Sequence, residues 1–380
     1  GTKAEICGKK FFIERLIIMN FSKRSDFIQP SATLALTAKA GELKAAGKPV
    51  LSFTAGEPDF DTPETIKQAA VEALKNGYTK YVPVAGLPKL RSKIAEKTSA
   101  RGGVPVDASQ VIVASGAKQT IFNACLALLD PGDEAVIFSP YWVSYPEMIR
   151  FCEAVPVVVD LDRENNLAFD KEKFLSKITS KTKLVIVNSP NNPSGSCMTQ
   201  EDLESIYQVC EEKGIWLLSD EIYADIFYSG ERAPSLEHKL NEYERLIIVN
   251  GFSKIYSMTG CRLGYIVANA KLINVLSKIQ GQSTSCATSF AQHAAVTALD
   301  LPLSTIQDFK ETFRGRKDLL KSLVAQSSYL NLIEPQGAFY GFLDLTKAYQ
   351  KLGMASSMEF CEHLISEFFV VTVPGEPFGC

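Results

Sequence analysis

The sequence predicts an α/β protein in which a large domain, built on a mostly parallel seven-stranded sheet between helices, is joined to a smaller α/β domain. Three observations lead there. Seven short runs rich in Val, Ile and Leu recur through the middle of the chain, at residues 110–115, 134–139, 155–160, 184–189, 215–220, 245–250 and 264–268. Helical stretches lie between them, and strands that alternate with helices form βαβ units and a parallel sheet. At 380 residues the chain also exceeds the size at which one hydrophobic core keeps growing, so a second, smaller domain is expected.

The strand runs are nearly continuous in apolar residues, as expected where helices cover both faces of a sheet. The helical stretch at 119–129 stops at Asp130-Pro131-Gly132, and the one at 200–213 stops at Gly214. Later the pattern changes to a long charged helix over 303–325, followed by Gly337-Ala338-Phe339-Tyr340, which marks the second domain. The expected division is an N-terminal extension or arm over 1–30, a large domain over 65–310, and a small domain formed by 31–64 with 311–380. Residues 1–18, which precede Met19, carry no part of the fold assignment.

Hydrophobic residues make up 46% and charged residues 22% of the chain, which places it with ordinary globular proteins rather than disordered or fibrous ones. A formal net charge of −3 leaves no basic surplus for a phosphate backbone, so a small-molecule substrate is expected and nucleic acid is not. The nine cysteines contain no C-x-x-C pair and read as reduced thiols of a cytoplasmic protein, with no structural zinc. The apolar stretch at 11–18 is interrupted by Glu14-Arg15, is too short to span a bilayer and lacks a small-residue cleavage site. Neither a membrane anchor nor a secretory signal is expected from it.

Ligands of open α/β sheets bind outside the carboxyl ends of the strands. Five of the runs end there in polar residues: Ser115-Gly116-Ala117-Lys118, Pro140-Tyr141-Trp142, Asn188-Ser189-Pro190-Asn191-Asn192, Ser219-Asp220-Glu221-Ile222-Tyr223 and Asn250-Gly251-Phe252-Ser253-Lys254. Ser115, Gly116 and Ala117 lead from a strand into a helix, where free N–H groups and the helix dipole favour a phosphate. Arg262 can complete that anion site. A carboxylate at Asp220 suits a protonated ring nitrogen, Asn192 and Tyr223 suit a phenolate oxygen, and Trp142 suits the face of a flat ring. Lys254 can form an imine if burial or neighbouring charge depresses its pKa. A phosphate site, an acid for a pyridinium, a stacking ring and an imine-forming lysine together match pyridoxal 5′-phosphate.

The motifs Ser-Pro-Asn-Asn-Pro-Ser-Gly at 189–195, Ser-Asp-Glu-Ile-Tyr at 219–223 and Ser-Lys-Ile-Tyr-Ser-Met-Thr-Gly-Cys-Arg-Leu-Gly at 253–264 resemble those of fold-type I, class I aminotransferases. Gly-Glu-Pro-Asp-Phe-Asp-Thr-Pro at 56–63 and Pro-Tyr-Trp-Val-Ser-Tyr-Pro at 140–146 narrow the likeness to the bacterial and plant-type aspartate/prephenate subgroup. It runs from about residue 31 to the last. The resemblance implies that Lys254 holds the cofactor as a Schiff base and moves the substrate Cα proton. By the same resemblance Asp220 pairs with the pyridinium, Asn192 and Tyr223 with the ring oxygen and Trp142 with the ring face. Ser115, Gly116, Ala117 and Arg262 would hold the phosphate, and Ser253 would also bind the cofactor. Tyr81 would reach the phosphate of a neighbouring subunit, which implies a homodimer with shared active sites.

For the substrate, the resemblance implies contacts from Gly56, Trp142 and Asn192, with Lys118 on a distal carboxylate and Thr33 assisting. Aspartate or glutamate with 2-oxoglutarate or oxaloacetate is the first substrate pair, and prephenate or an aromatic amino acid is the alternative. Two departures stand out. Cys261 replaces the tryptophan usual before the arginine, and the sequence ends at Cys380, ahead of the family segment that carries the arginine for the substrate α-carboxylate. A chain ending there is expected to bind amino acids weakly, and a catalytically impaired cofactor-binding protein is the reading from a different class. Taken singly, Lys254 reads as a solvated lysine, Trp142 as core, Asp220 as a helix cap and Arg262 as a salt-bridge partner. Their company at five strand ends reverses that.

Overall fold

The computed structural model describes Phe21, Ser22, Arg24 and residues 32–302 and 304–380; most of the expected arm over 1–30 lies outside the described residues. The strands in chain order are β1 (Leu51–Ser52), β2 (Val111–Ala114), β3 (Glu134–Ser139), β4 (Val155–Asp160), β5 (Thr182–Asn188) and β6 (Trp216–Asp220). They continue with β7 (Leu246–Gly251), β8 (Gly264–Ala268), β9 (Asn331–Ile333), β10 (Phe342–Asp344) and β11 (Val370–Val371).

Side chains alternate across a strand, and here both faces are buried. Val136 and Phe138 of β3 join one core while Ala135 and Ile137 join the other; Val185 and Val187 of β5 divide from Leu184 and Ile186 in the same way. That explains the unbroken apolar runs. The first core is closed by helices Glu64–Lys75, Pro88–Gly102, Gln200–Lys213 and Ser289–Asp300, through residues such as Ile66, Leu90, Ile206 and Ala294. Helices Ala117–Leu128, Ser144–Phe151 and Ala270–Ser283 close the second through Ile121, Ile149 and Leu276. Each fully buried Ile or Leu contributes roughly 1.5–3 kcal/mol of transfer free energy, so the two cores together fix the sheet.

The seven strands lie in the order β2-β8-β7-β6-β5-β3-β4. β8 is antiparallel to both neighbours, and the other pairings are parallel. The sheet is therefore the mostly parallel seven-stranded one the sequence predicts.

Residues from both parts of the expected small domain meet. β1 pairs in parallel with β11, Leu51 opposite Val370, and Ala40, Ile365 and Val371 share a small core with Leu36, Leu43 and Val50. β9 and β10 form an antiparallel pair beyond the long helix Ser304–Val324. A further cluster joins that helix to the sheet, with Ile306 and Phe313 packed among Tyr223, Ile255 and Ala338, and Phe339 and Tyr340 against them. Among the described residues, no helix is long and apolar enough to cross a membrane.

Candidate functional site

Six strands of the sheet run the same way, so their carboxyl ends share one edge. β3 and β5 are neighbours whose chains leave in opposite directions, β3 to the edge strand β4 through helix Ser144–Phe151 and β5 to β6 through helix Gln200–Lys213. Those helices pack on opposite faces, Ile149 in one core and Ile206 in the other, which opens a crevice at the switch point. β8 runs against the others, and its first residue, Gly264, stands opposite both Ala114 and Gly251. Arg262 is thereby carried to the same edge as Ser115 and Ser253.

The anion end follows from that approach. Helix Ala117–Leu128 starts at Gly116, whose φ of 92° is left-handed and whose first turn has no side-chain cap, leaving N–H groups for a ligand. A Cβ at position 116 would stand 2.7 Å from Nη2 of Arg262, so only glycine lets the guanidinium lie against the turn. Arg262 itself has φ 52° and its Nη1 donates to the Thr259 carbonyl at 3.0 Å. Ser253 is buried, and its carbonyl accepts from the Met258 amide at 3.2 Å.

The opposite end is closed and acidic. Asp220 is 3% exposed; its Oδ2 accepts from the Tyr145 hydroxyl at 2.6 Å and its Oδ1 from the Ile222 amide at 3.2 Å. Burial pushes its carboxyl up to about 6, against the pull of these hydrogen bonds and of the Lys254 charge. Asn188 donates to the Asp220 carbonyl at 3.0 Å while its Oδ1 accepts from the Asn192 amide at 2.8 Å, tying two strand ends together. Asn192 and Tyr223 do meet, but through a third residue: the Tyr340 hydroxyl lies 3.1 Å from Asn192 Nδ2 and 2.5 Å from the Tyr223 hydroxyl. Burial holds the Tyr223, Tyr340 and Tyr145 phenols well above their ordinary range, so all three are neutral donors at working pH.

Lys254 lies between the two ends. Its ammonium donates to the Gly56 carbonyl at 2.5 Å and sits 5.6 Å from the Tyr223 ring centre and 5.5 Å from that of Phe339. Burial lowers its pKa to about 8, with the Arg262 charge acting in the same direction and Glu57 and Asp220 opposing. The amine is thus available in neutral form far below the usual lysine range. Trp142 is half-buried, packed edge-on against Tyr145 with ring centres 5.3 Å apart at 86°, and carries the Lys118 ammonium 4.8 Å from its centre. Burial, and then Arg262, lowers the Lys118 pKa, though part of that side chain remains open to solvent.

Two expected residues are not seen in this cluster among the described side chains. Tyr81 is 90% exposed, and the side chain of Thr33, in helix Ala32–Ala45, lies outside the described residues. Three contributors escaped the sequence reading: Tyr145, Asn188 and Tyr340. All three stand in motifs that were noticed for other reasons, Tyr145 beside Trp142, Asn188 before Asn192 and Tyr340 after the long helix. His293, in helix Ser289–Asp300, is stacked on Tyr78 with ring centres 4.0 Å apart.

A pyridine ring bearing a phosphate fits these residues. The turn at Gly116, which a Cβ would fill, presents helix N–H groups beside a guanidinium. The Asp220 carboxylate is buried without a salt bridge among the described residues, as an acid awaiting a ring cation would be. Between them stand an amine of lowered pKa and an indole ring.

Comparison with known proteins agrees with that chemistry. The family model for class I and II aminotransferases matches residues 48–380. A probable aspartate/prephenate aminotransferase of Aquifex aeolicus is 40% identical over 361 residues, covering 94% of this chain and 91% of the relative. The aspartate aminotransferase of Bacillus subtilis is 39% identical over 362 residues, covering 95% and 92%. Among solved structures, Thermus thermophilus aspartate aminotransferase with maleate superposes with a TM-score of 0.89 at 39% identity, covering 94% of this chain and 92% of that one. With the sheet, the crevice and the lysine in place, the chain belongs to the class I and II aminotransferases, enzymes of fold-type I that use pyridoxal 5′-phosphate.

Proposed function

We propose that this aminotransferase works on dicarboxylic substrates, moving an amino group between aspartate or glutamate and 2-oxoglutarate or oxaloacetate. The observation that carries this reading is the Lys118 ammonium held 4.8 Å from the Trp142 ring centre, beside the predicted cofactor face and open to solvent on one side. A free cation there suits a second carboxylate, and the relatives named for aspartate support it.

When bound, pyridoxal phosphate supplies an aldehyde that condenses with amines and a protonated ring that accepts electron density from the substrate Cα. The rest is work for the chain. Ser115, Gly116, Ala117 and Arg262 would hold the phosphate, Ser253 would also contact the cofactor, and Trp142 would face its ring. Asp220, ionised above about pH 6, keeps the ring nitrogen protonated. Asn192 and Tyr223, both now engaged by the Tyr340 hydroxyl, would donate to the ring oxygen. Lys254, displaced by the incoming amino acid, carries the Cα proton; its pKa near 8 lets it accept that proton as well as release it. The Gly56 carbonyl, which receives the Lys254 ammonium, is placed to hold the lysine while it is free and leaves the Gly56 backbone beside the substrate. The return half with an oxoacid makes the kinetics ping-pong.

The exposure of Tyr81 suits a residue that reaches the phosphate of a second subunit in a homodimer. Residues 31–64 and 311–380 act as a small domain over a large domain at 65–310, supported by the pairing of β1 with β11, and the enzyme works in the cytoplasm on small amino and oxo acids. The test is a substrate series. Lys118→Ala should raise the KM for aspartate roughly ten- to hundredfold, the range for a lost charge-assisted hydrogen bond, while leaving an apolar amino acid little changed. An unchanged ratio of aspartate to apolar activity removes Lys118 from substrate recognition.

A further inference from the structure

We infer that Tyr145 is a positioning residue for the cofactor ring, one phenol that fixes the Asp220 carboxylate through its hydroxyl and braces Trp142 through its ring. The inference rests on the cofactor reading above and adds a residue to it. Tyr145 stands in the first turn of helix Ser144–Phe151 and is 2% exposed. Its hydroxyl has one partner of note, Oδ2 of Asp220 at 2.6 Å, and its ring meets Trp142 edge-on at 5.3 Å. The acid for the ring nitrogen and the ring for the cofactor face therefore share a single support.

The chemistry of the pair gives the hydroxyl its importance. Asp220 is buried with no salt bridge among the described residues, so its two oxygens depend on two fixed donors, the Tyr145 hydroxyl and the Ile222 amide. The charged and titratable groups facing it are Tyr145, Tyr223 and Lys254, while Cys125 faces Tyr145 from helix Ala117–Leu128. Tyr145 and Lys254 favour the ionised carboxylate; burial opposes it. Without the hydroxyl, Asp220 becomes a stronger base and draws the shared proton away from the ring nitrogen toward itself. A ring with less positive charge binds less tightly and leaves the nitrogen joined to Lys254 more basic. The shape of the site would hardly change, since phenylalanine keeps the contact with Trp142.

Tyr145→Phe and Tyr145→Leu separate the two supports. In Tyr145→Phe the dissociation constant for pyridoxal phosphate should rise roughly ten- to hundredfold, and the pH midpoint of the bound cofactor's visible absorbance should move upward. KM for aspartate should change far less. Tyr145→Leu should add a loss of induced signal from Trp142, which the Phe variant keeps. A second reading needs no cofactor: the pH at which Asp220 ionises, followed through stability against pH, should rise in Tyr145→Phe and show no further change when Asp220→Asn is already present. A Phe variant with wild-type cofactor affinity, absorbance midpoint and apo-protein pH profile overturns the inference. Absorbance that persists in Lys254→Ala instead overturns the cofactor reading beneath it, so the two failures are distinct.

Discussion

The two ends of the crevice solve opposite electrostatic problems. At the closed end one negative group, Asp220, is buried among neutral phenols and amides, and burial drives its pKa up to about 6. Toward the other end Lys118 and Arg262 stand near Lys254, which lies between the two, and both lysines are pushed down, Lys254 to about 8. Each end carries a cost: Asp220 is buried with no salt bridge among the described residues, and the cations lie close to one another. A ligand with a positive ring nitrogen at one end and phosphate and carboxylates at the other relieves both. The closed end is walled by hydrogen-bonded aromatic side chains, suiting a resident group, and the open end is half-exposed, suiting ligands that exchange.

Changing the closed end should have the largest effect. Asp220→Asn removes the partner of the ring nitrogen while keeping an acceptor for Tyr145, and kcat should fall by at least roughly 10²–10³-fold, the cost of losing a preorganised charge. At the open end, Gly116→Ala strains a residue with φ 92° and drives a methyl to within 2.7 Å of the Arg262 guanidinium. Cofactor affinity should drop roughly tenfold or more, with the sheet intact by circular dichroism. The smallest effect has the opposite sign. The folded pKa of Asp220, about 6, lies above its ordinary 3.8, so protonation stabilises the cofactor-free fold below pH 3.8 and that contribution is lost as the pH rises through 6. Cofactor-free Asp220→Asn should therefore be more stable than wild type at pH 8, by on the order of 2–3 kcal/mol, and should lose that advantage toward pH 4. Denaturation midpoints at the two pH values check it, and equal midpoints would separate the closed end from any electrostatic cost.

The sheet and most of the crevice were legible because their signals are local. A strand buried on both faces is an unbroken apolar run, and its carboxyl end is a short polar motif a few residues later; Asp220, Asn192, Trp142 and Lys254 all follow that rule. The anion site needed one more step, the reversal of β8 that returns Arg262 to the shared edge, which its place eight residues past Lys254 only hinted at. Tyr340 was not legible as a site residue. It reaches Asn192 and Tyr223 from 148 and 117 positions away, and no periodicity encodes such a contact. β1, β9, β10 and β11 span two or three residues each, too few to show an alternation, so they were missed as strands. Tyr145 was hidden for another reason: on an amphipathic helix, a buried tyrosine reads as core until its hydroxyl is seen to face an acid.

The central claim is that Lys254 joins the cofactor covalently at the meeting of the two ends. Its most direct test is the visible absorbance of purified protein titrated with pyridoxal phosphate, compared with Lys254→Ala. The account predicts a pH-sensitive absorbance in the wild type that aspartate converts to that of the amine form of the cofactor and 2-oxoglutarate restores, and none of these changes in the variant beyond free cofactor. The same absorbance and the same response to aspartate in Lys254→Ala would contradict it.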